Sequence, residues 1–230
     1  EVAGFAVLDT HLHLLVRLCP ERVPMWSDEE VVRRWANLVP PRGPDREPLE
    51  ISQDWLDQKL ADAEFVERTR QRLSNLGWFM KLLKEPLARL ANREDGCQGA
   101  FWQGRYKSIA ILDEEALLAT CIYIDLSPVA AGISTTPEAS PHTSVHARVE
   151  HFREEGRLDD LQVARDGSVA AASAAQGLDT THWLCPLNDE RRSGSSRPGL
   201  LEGLSLGSYL QMVDWTSRLV REGKARVSTE

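Results

Sequence analysis

Residues Phe5-Ala6-Val7-Leu8-Asp9-Thr10-His11-Leu12-His13-Leu14-Leu15-Val16 set two histidines, two positions apart, inside an apolar run. A β-strand alternates its side chains, so His11 and His13 share a face if the run is extended. The pattern predicts a buried strand over residues 3–18, with both imidazoles on one side and Leu12 and Leu14 directed into a core on the other. Two neutral imidazoles on one face can hold a single divalent cation. A pair of half-buried histidines alternating with leucines is the other reading, and the triplet alone leaves both open.

The rest of the chain suits one sizeable domain with an extension. It has 230 residues, 42% hydrophobic and 27% charged, the balance of a globular protein rather than a disordered one. No apolar run approaches the roughly 18 residues of a membrane helix, and no basic segment precedes residues 5–16 to make them a signal peptide. Cys19, Cys97, Cys121 and Cys185 are far apart and form no CxxC pair, so the sequence predicts a reducing, cytoplasmic setting and no membrane partner. The net charge of −8 argues against a nucleic-acid binder. Its distribution tempers that, because residues 60–107 carry an excess of Arg and Lys over Asp and Glu.

Ser27-Asp28-Glu29-Glu30 is a helix start, with an N-cap serine and a glutamate three residues on. The helix should run to Leu38 with Val31, Trp35 and Leu38 inward. A proline-rich loop over 39–49 follows, then helical periodicity from Ser52 to Asn92, with Pro86 expected to kink or restart it. Phe101 to Leu112 reads as a strand, and Asp113-Glu114-Glu115 opens a helix that Ser127-Pro128 should end. Residues 132–145 read as a loop, 146–158 as a short helix, and 163–200 as loop or linker. Leu204 to Arg226 closes the chain as an amphipathic helix with Tyr209, Leu210, Val213 and Trp215.

Tyr123 falls late in the helix that begins at 113, four residues before Ser127. A phenol is a poor nucleophile at its ordinary pKa near 10, and a nearby divalent cation is the simplest aid to its attack. Most lone tyrosines are packing residues with one hydrogen-bonded hydroxyl. Four pieces in order nonetheless resemble one family: the HxH run from Phe5 to Leu15, Trp78-Phe79-Met80 through Asp95, Phe101 to Ser108, and Leu112 to Gly132 with its Tyr-Ile-Asp-Leu-Ser-Pro stretch. Together they are similar to the REP-associated tyrosine transposases, single-tyrosine members of the HUH nuclease superfamily. Tyr209 to Thr216 resembles the C-terminal stretch of one subgroup.

That resemblance implies an α/β (α+β) fold: a ferredoxin-like antiparallel sheet with helices on one face, a helix-rich insertion and a C-terminal helical extension. The corresponding divisions are a catalytic domain over 1–145, a linker over 146–203 and a C-terminal helix over 204–230. It implies cleavage and rejoining of single-stranded or hairpin DNA, with Mg²⁺ or Mn²⁺ held by His11 and His13 and Tyr123 as nucleophile. Arg105 and Lys107 would contact phosphates and Trp102 or Tyr106 would stack on a base. The protein would be a monomer or homodimer.

The chain departs from the family pattern at the site. Thr10 stands where an asparagine usually precedes the first histidine, Ser127 where an amide usually completes the metal site, and Ala130 where an arginine often follows. The family's first strand and helix would fall before residue 1. These departures predict weakened or absent activity, and a DNA-binding remnant without chemistry is the non-enzymatic alternative. Leu8 to Leu14 is also similar to the first-strand motif of TatD-type metal-dependent hydrolases, which would require further ligands, with His142 and His146 as the nearest candidates.

Overall fold

The computed structural model describes residues 1–159, 182–189 and 197–227, with side chains as far as residue 219. Its elements are β1 (Val2–Val7), β2 (Leu12–Val16), a 3₁₀ turn (Pro20–Met25), α1 (Asp28–Leu38), α2 (Gln53–Leu60), α3 (Ala63–Leu73), α4 (Leu76–Glu94), α5 (Glu114–Ala130), α6 (Ser144–Glu154) and α7 (Leu206–Val227). This is a mixed helix-and-sheet protein with one two-stranded antiparallel sheet among the described residues. No helix among them is long and apolar enough to cross a membrane.

Contacts divide the chain into two compact units, Glu1–Arg17 with Ala110–Glu230, and Leu18–Ile109. This differs from the expected partition at 145 and 203. α7 packs on α5, and Tyr209 and Val213 join the core formed by Ala3, Ala6, Leu15, Cys121 and Ile124. The terminal helix is thus an integral wall of the first unit. Burying its apolar stripe is what makes such a helix stable. The linker expected over 163–200 lies largely outside the described residues.

The expected strand over 3–18 is a hairpin. Asp9 and Thr10, both turn-formers, sit between Leu8 and His11, and the Leu8 N–H donates to the His11 carbonyl at 2.9 Å. Ala6 then pairs with His13, Phe5 with Leu14 and Gly4 with Leu15, while an irregularity between Val2 and Gly4 turns Ala3 into the core as well. The outer edge of β1 is occupied. Val7 N–H donates to the His142 carbonyl, Phe5 N–H to Ser144 Oγ, and Cys185 N–H to the Val2 carbonyl.

Asp113 caps α5 by accepting from the Ala116 N–H at 2.7 Å. The helix does not stop at Ser127-Pro128 but runs through the proline to Ala130. Gly132, at φ 75°, ends it, with its N–H on the Val129 carbonyl and the Ile133 N–H on the Pro128 carbonyl. This Schellman closure satisfies the carbonyls left at the helix end. Thr143 caps α6 two residues earlier than the periodicity suggested.

The second unit is helical, and its boundaries are set locally. Ser27, Ser52, Asp62 and Asn75 each accept a hydrogen bond from the backbone N–H three residues on, at the starts of α1 to α4. Val31, Val32, Leu56 and Val66 form its core, with Trp55, Phe65 and Leu73 packed against them. Leu38, expected inward, is exposed. α4 runs unbroken through Pro86, buries no residue fully, and meets α1 through the Trp35–Trp78 ring pair at 5.9 Å.

Phe101 to Leu112 is not a strand. A strand needs a ladder partner, and the apolar residues Ile109 and Leu112 are instead highly exposed.

Candidate active site

The hairpin turn delivers His11 to the start of β2 and His13 one alternation further on. Their ring centroids lie 4.8 Å apart, edge to face. His11 Nδ1 is 3.0 Å from Thr10 Oγ1, a neighbour that holds the ring and leaves Nε2 for another partner. Thr10 therefore supplies an orienting contact of its own at the position where the resemblance expects asparagine.

The histidine face is also the core face, contrary to the expected inward Leu12 and Leu14. Ala6, opposite His13, and Leu15, two residues on, are buried, whereas Leu12 and Leu14 are only half-buried. The cause is α5, which packs on this side of the hairpin and contributes Cys121 and Ile124 to the same cluster as Ala6 and Leu15. Docking of α5 brings Tyr123 onto His13, with ring centroids 5.3 Å apart in an edge-to-face arrangement.

Tyr123 is the exposed member of its helix turn. Every residue from Ile124 to Val129 is buried, but Tyr123 is 62% exposed, and its hydroxyl has no hydrogen-bond partner among the described residues. The phenol is thus open to solvent beside the His13 imidazole. Burial holds the His13 pKa below its ordinary 6.5, and the neighbouring His11 adds to this. A neutral imidazole is the metal-binding form, so the shift favours ligation near neutral pH.

The spacing of the two ring centres is close to that of two imidazoles sharing one ion. With metal–nitrogen bonds of about 2.1 Å, two imidazoles sharing one ion bring their ring centres to roughly 5 Å. Ser127 does not complete the set: it is buried, and its Oγ donates to the Tyr123 carbonyl at 2.7 Å. Among the described residues no group of three or more His, Cys, Asp or Glu side chains could hold a metal ion. The further ligands of a TatD-type site are therefore not assembled there. His146 Nδ1 instead lies 2.6 Å from the Glu138 carbonyl, and His142 precedes α6 rather than lying on it.

Trp102 and Arg105 and Lys107 belong to the helical unit, in an irregular segment rather than on a strand. Trp102 Nε1 donates to the Lys84 carbonyl at 3.0 Å, and the Lys84 ammonium lies 4.9 Å from its ring centre. Arg105 and Lys107 are exposed.

One group beside the site escapes a reading of motifs. Asp125, fully buried two residues after Tyr123, accepts from Ser144 Oγ at 2.5 Å, the Val145 N–H at 3.0 Å and the Tyr209 hydroxyl. Arg148 of α6, also buried, donates to the Ala3 and Cys185 carbonyls. Burial pushes the Asp125 carboxyl above its ordinary range, while hydrogen bonds from Ser144 and Tyr209 pull the other way. Tyr209 is raised well above 10, by burial first and then by the Asp125 charge. This network joins α5, α6, α7 and β1, and so fixes the helix that presents Tyr123. An aspartate inside Cys121-Ile122-Tyr123-Ile124-Asp125-Leu126 was its one visible signal.

In comparison with known proteins, the chain matches no family model, no curated protein and no solved structure.

Proposed function

We propose that this protein is a single-tyrosine DNA strand transferase of the HUH type, as its resemblance to REP-associated tyrosine transposases implies. The observation that carries the reading is the packing of Tyr123 against His13, with His11 beside it. Sequence separates these residues widely, and nothing about a core requires an exposed phenol at two histidines. In this reading the hairpin, α5 and α6 belong to a ferredoxin-like catalytic domain, and the setting is cytoplasmic.

The Tyr123 hydroxyl attacks the phosphorus of a single-stranded or hairpin DNA backbone and loses its proton to solvent. The bond to the 3′ oxygen breaks, a free 3′-hydroxyl leaves, and the 5′ phosphate stays on the tyrosine. Attack by a 3′-hydroxyl reverses the step and rejoins DNA without ATP. His11 and His13 would hold Mg²⁺ or Mn²⁺, which supplies Lewis-acid polarisation of the scissile phosphate. Lowered basicity keeps His13 available as a ligand below its ordinary pKa. Arg105, Lys107 and Trp102 would contribute DNA contacts from the helical unit.

One observation favours the alternative of a DNA-binding remnant. The Ser127 hydroxyl donates to the Tyr123 carbonyl, so Ser127 does not supply the oxygen that the resemblance places beside the two imidazoles. Incubating the full chain with a labelled DNA hairpin and Mn²⁺ separates the two readings. A transferase yields a denaturant-resistant protein–DNA adduct that Tyr123→Phe abolishes and His13→Ala reduces at least tenfold. Hairpin binding by the folded wild type with no adduct at any Mn²⁺ concentration would leave the remnant as the answer.

A further inference from the structure

His13 and Tyr123 stand on different elements, the hairpin and α5, and their rings meet edge to face. What holds that meeting is not at the meeting itself. The Tyr123 hydroxyl has no hydrogen-bond partner among the described residues, and the Ser127 bond to the Tyr123 carbonyl lies within α5. Neither sets how α5 is turned about its own axis. Ile124, Leu126 and Val129 bury apolar surface, and contacts of that kind carry little direction.

Direction comes from Asp125. Successive residues of a helix are turned by about 100°, so Asp125 points away from the side that carries Tyr123. Its Oδ1 accepts from Ser144 Oγ at 2.5 Å and from the Val145 N–H at 3.0 Å, and its Oδ2 accepts from the Tyr209 hydroxyl. Ser144 Oγ in turn accepts from the Phe5 N–H at 3.0 Å, on the strand whose Ala6 pairs with His13. A relay of hydrogen bonds therefore runs from β1 through Ser144 and Asp125 to Tyr209 of α7. It ties the histidine hairpin to the tyrosine helix. Ser144, Asp125 and Tyr209 are each at most 2% exposed, a setting in which hydrogen bonds are strong and geometrically demanding.

We propose that Ser144 and Tyr209 are positioning residues for Tyr123: through Asp125 they fix the rotation of α5 and so hold the phenol on His13. The consequence for catalysis rests on the strand-transferase reading, whereas the placement of the phenol does not. A phenol projects well beyond the helix axis, so a rotation of about 10° carries its hydroxyl roughly 1 Å. A displacement of that size costs a nucleophile about a hundredfold in rate. All three side chains of the relay are shielded from solvent, so DNA does not touch them and its affinity is independent of them.

Tyr209→Phe and Ser144→Ala each cut one end of the relay. With hairpin DNA and Mn²⁺, each full-length variant should slow adduct formation at saturating DNA by about tenfold or more, with hairpin affinity unchanged to within about twofold. A folded protein that had merely lost stability would not show that split. Nuclear Overhauser contacts between the His13 and Tyr123 rings, present in the wild type, should weaken in both variants. Trp215→Ala, on the exposed side of α7, should change neither readout. Unaltered rate and ring contacts in the folded variants, or an equal loss in Trp215→Ala, would overturn the proposal. If the wild type forms no adduct, the transferase reading falls and the ring contacts decide the positioning by themselves. Should one variant not fold, the other decides. Should neither fold, Asp125→Asn decides, with the same changes expected at smaller size and their absence overturning the proposal.

Discussion

The two units solve the same problem, covering apolar surface, by opposite means. In the helical unit, α1 to α3 surround a small core, each cap is made within three residues, and ion pairs such as Arg33–Glu29 and Arg68–Glu64 lie one turn apart. In the unit that carries the histidines, the central contacts are long-range. Asp125 of α5 is satisfied from α6 and α7, and Arg148 of α6 from β1 and residue 185. A buried polar network of this kind is costly if any member is missing, and it accepts only one arrangement of the elements that build it. In the helical unit the long-range polar contacts come from half-buried Arg70, which donates to the Val23 and Trp26 carbonyls and to Asp28, at the margin of an apolar core cluster. Packing there constrains identity less sharply, because an apolar core tolerates volume-conserving exchange.

Asp125→Ala should give the largest effect, a loss of about 3 kcal/mol or more, because it leaves the Val145 N–H and Tyr209 hydroxyl buried without their acceptor. Chemical denaturation followed by circular dichroism measures it. Asp125→Asn keeps an acceptor and should cost less; equal losses would break the contrast between the two cores.

Leu56→Ala comes next. Leu56 is 1% exposed at the centre of the helical core, and its truncation should cost about 2–4 kcal/mol. Site-resolved amide exchange should show lost protection in α1 to α3. Equal loss in α5 would show that the two units do not behave as separate cores.

The smallest effect concerns pH. Burial, then Arg148, His151 and Arg197, push the His182 pKa down from 6.5 to about 4. Unfolded, the imidazole titrates near 6.5, so between those values the unfolded chain binds the extra proton. Stability therefore falls as pH drops from 6.5 to about 4, and is independent of this group above that window. Asp125, with a raised pKa, acts in the opposite sense, so the His182 contribution is read as wild type minus His182→Gln. A variant whose melting temperature follows the wild type throughout that window would remove His182 from the account.

Much of the helical unit was legible in the sequence. Ser27 with Glu30, and the apolar spacing through Leu56 and Leu73, mark helices that formed, with Ser27 as the cap of α1 and Leu56 buried, although Leu38 faces outward. Pro86 does not restart a helix and Pro128 does not end one, since α4 and α5 each continue through their proline. At Pro128 the burial of the surrounding turn and the Gly132 closure outweigh a single lost N–H. In the candidate site, the histidine spacing and the helical setting of Tyr123 were visible. The hairpin was not separated from a single long strand, because apolar alternation continues on both sides of Asp9-Thr10.

The sequence by itself determined what neighbours within three or four residues decide: helix starts, the shared face of His11 and His13, and the helical setting of Tyr123. Tertiary structure alone decided that α5 covers the histidine face rather than the Leu12 and Leu14 face, that Tyr123 meets His13, and that α7 closes the same core. Local hydrogen bonds and periodicity are written in short windows, whereas the partner of a buried group is chosen by which distant surface shields it from water. Asp125 shows the difference most plainly. Its place in an apolar run announced a demand for hydrogen bonds, and only the folded chain shows that Ser144, Val145 and Tyr209 meet it.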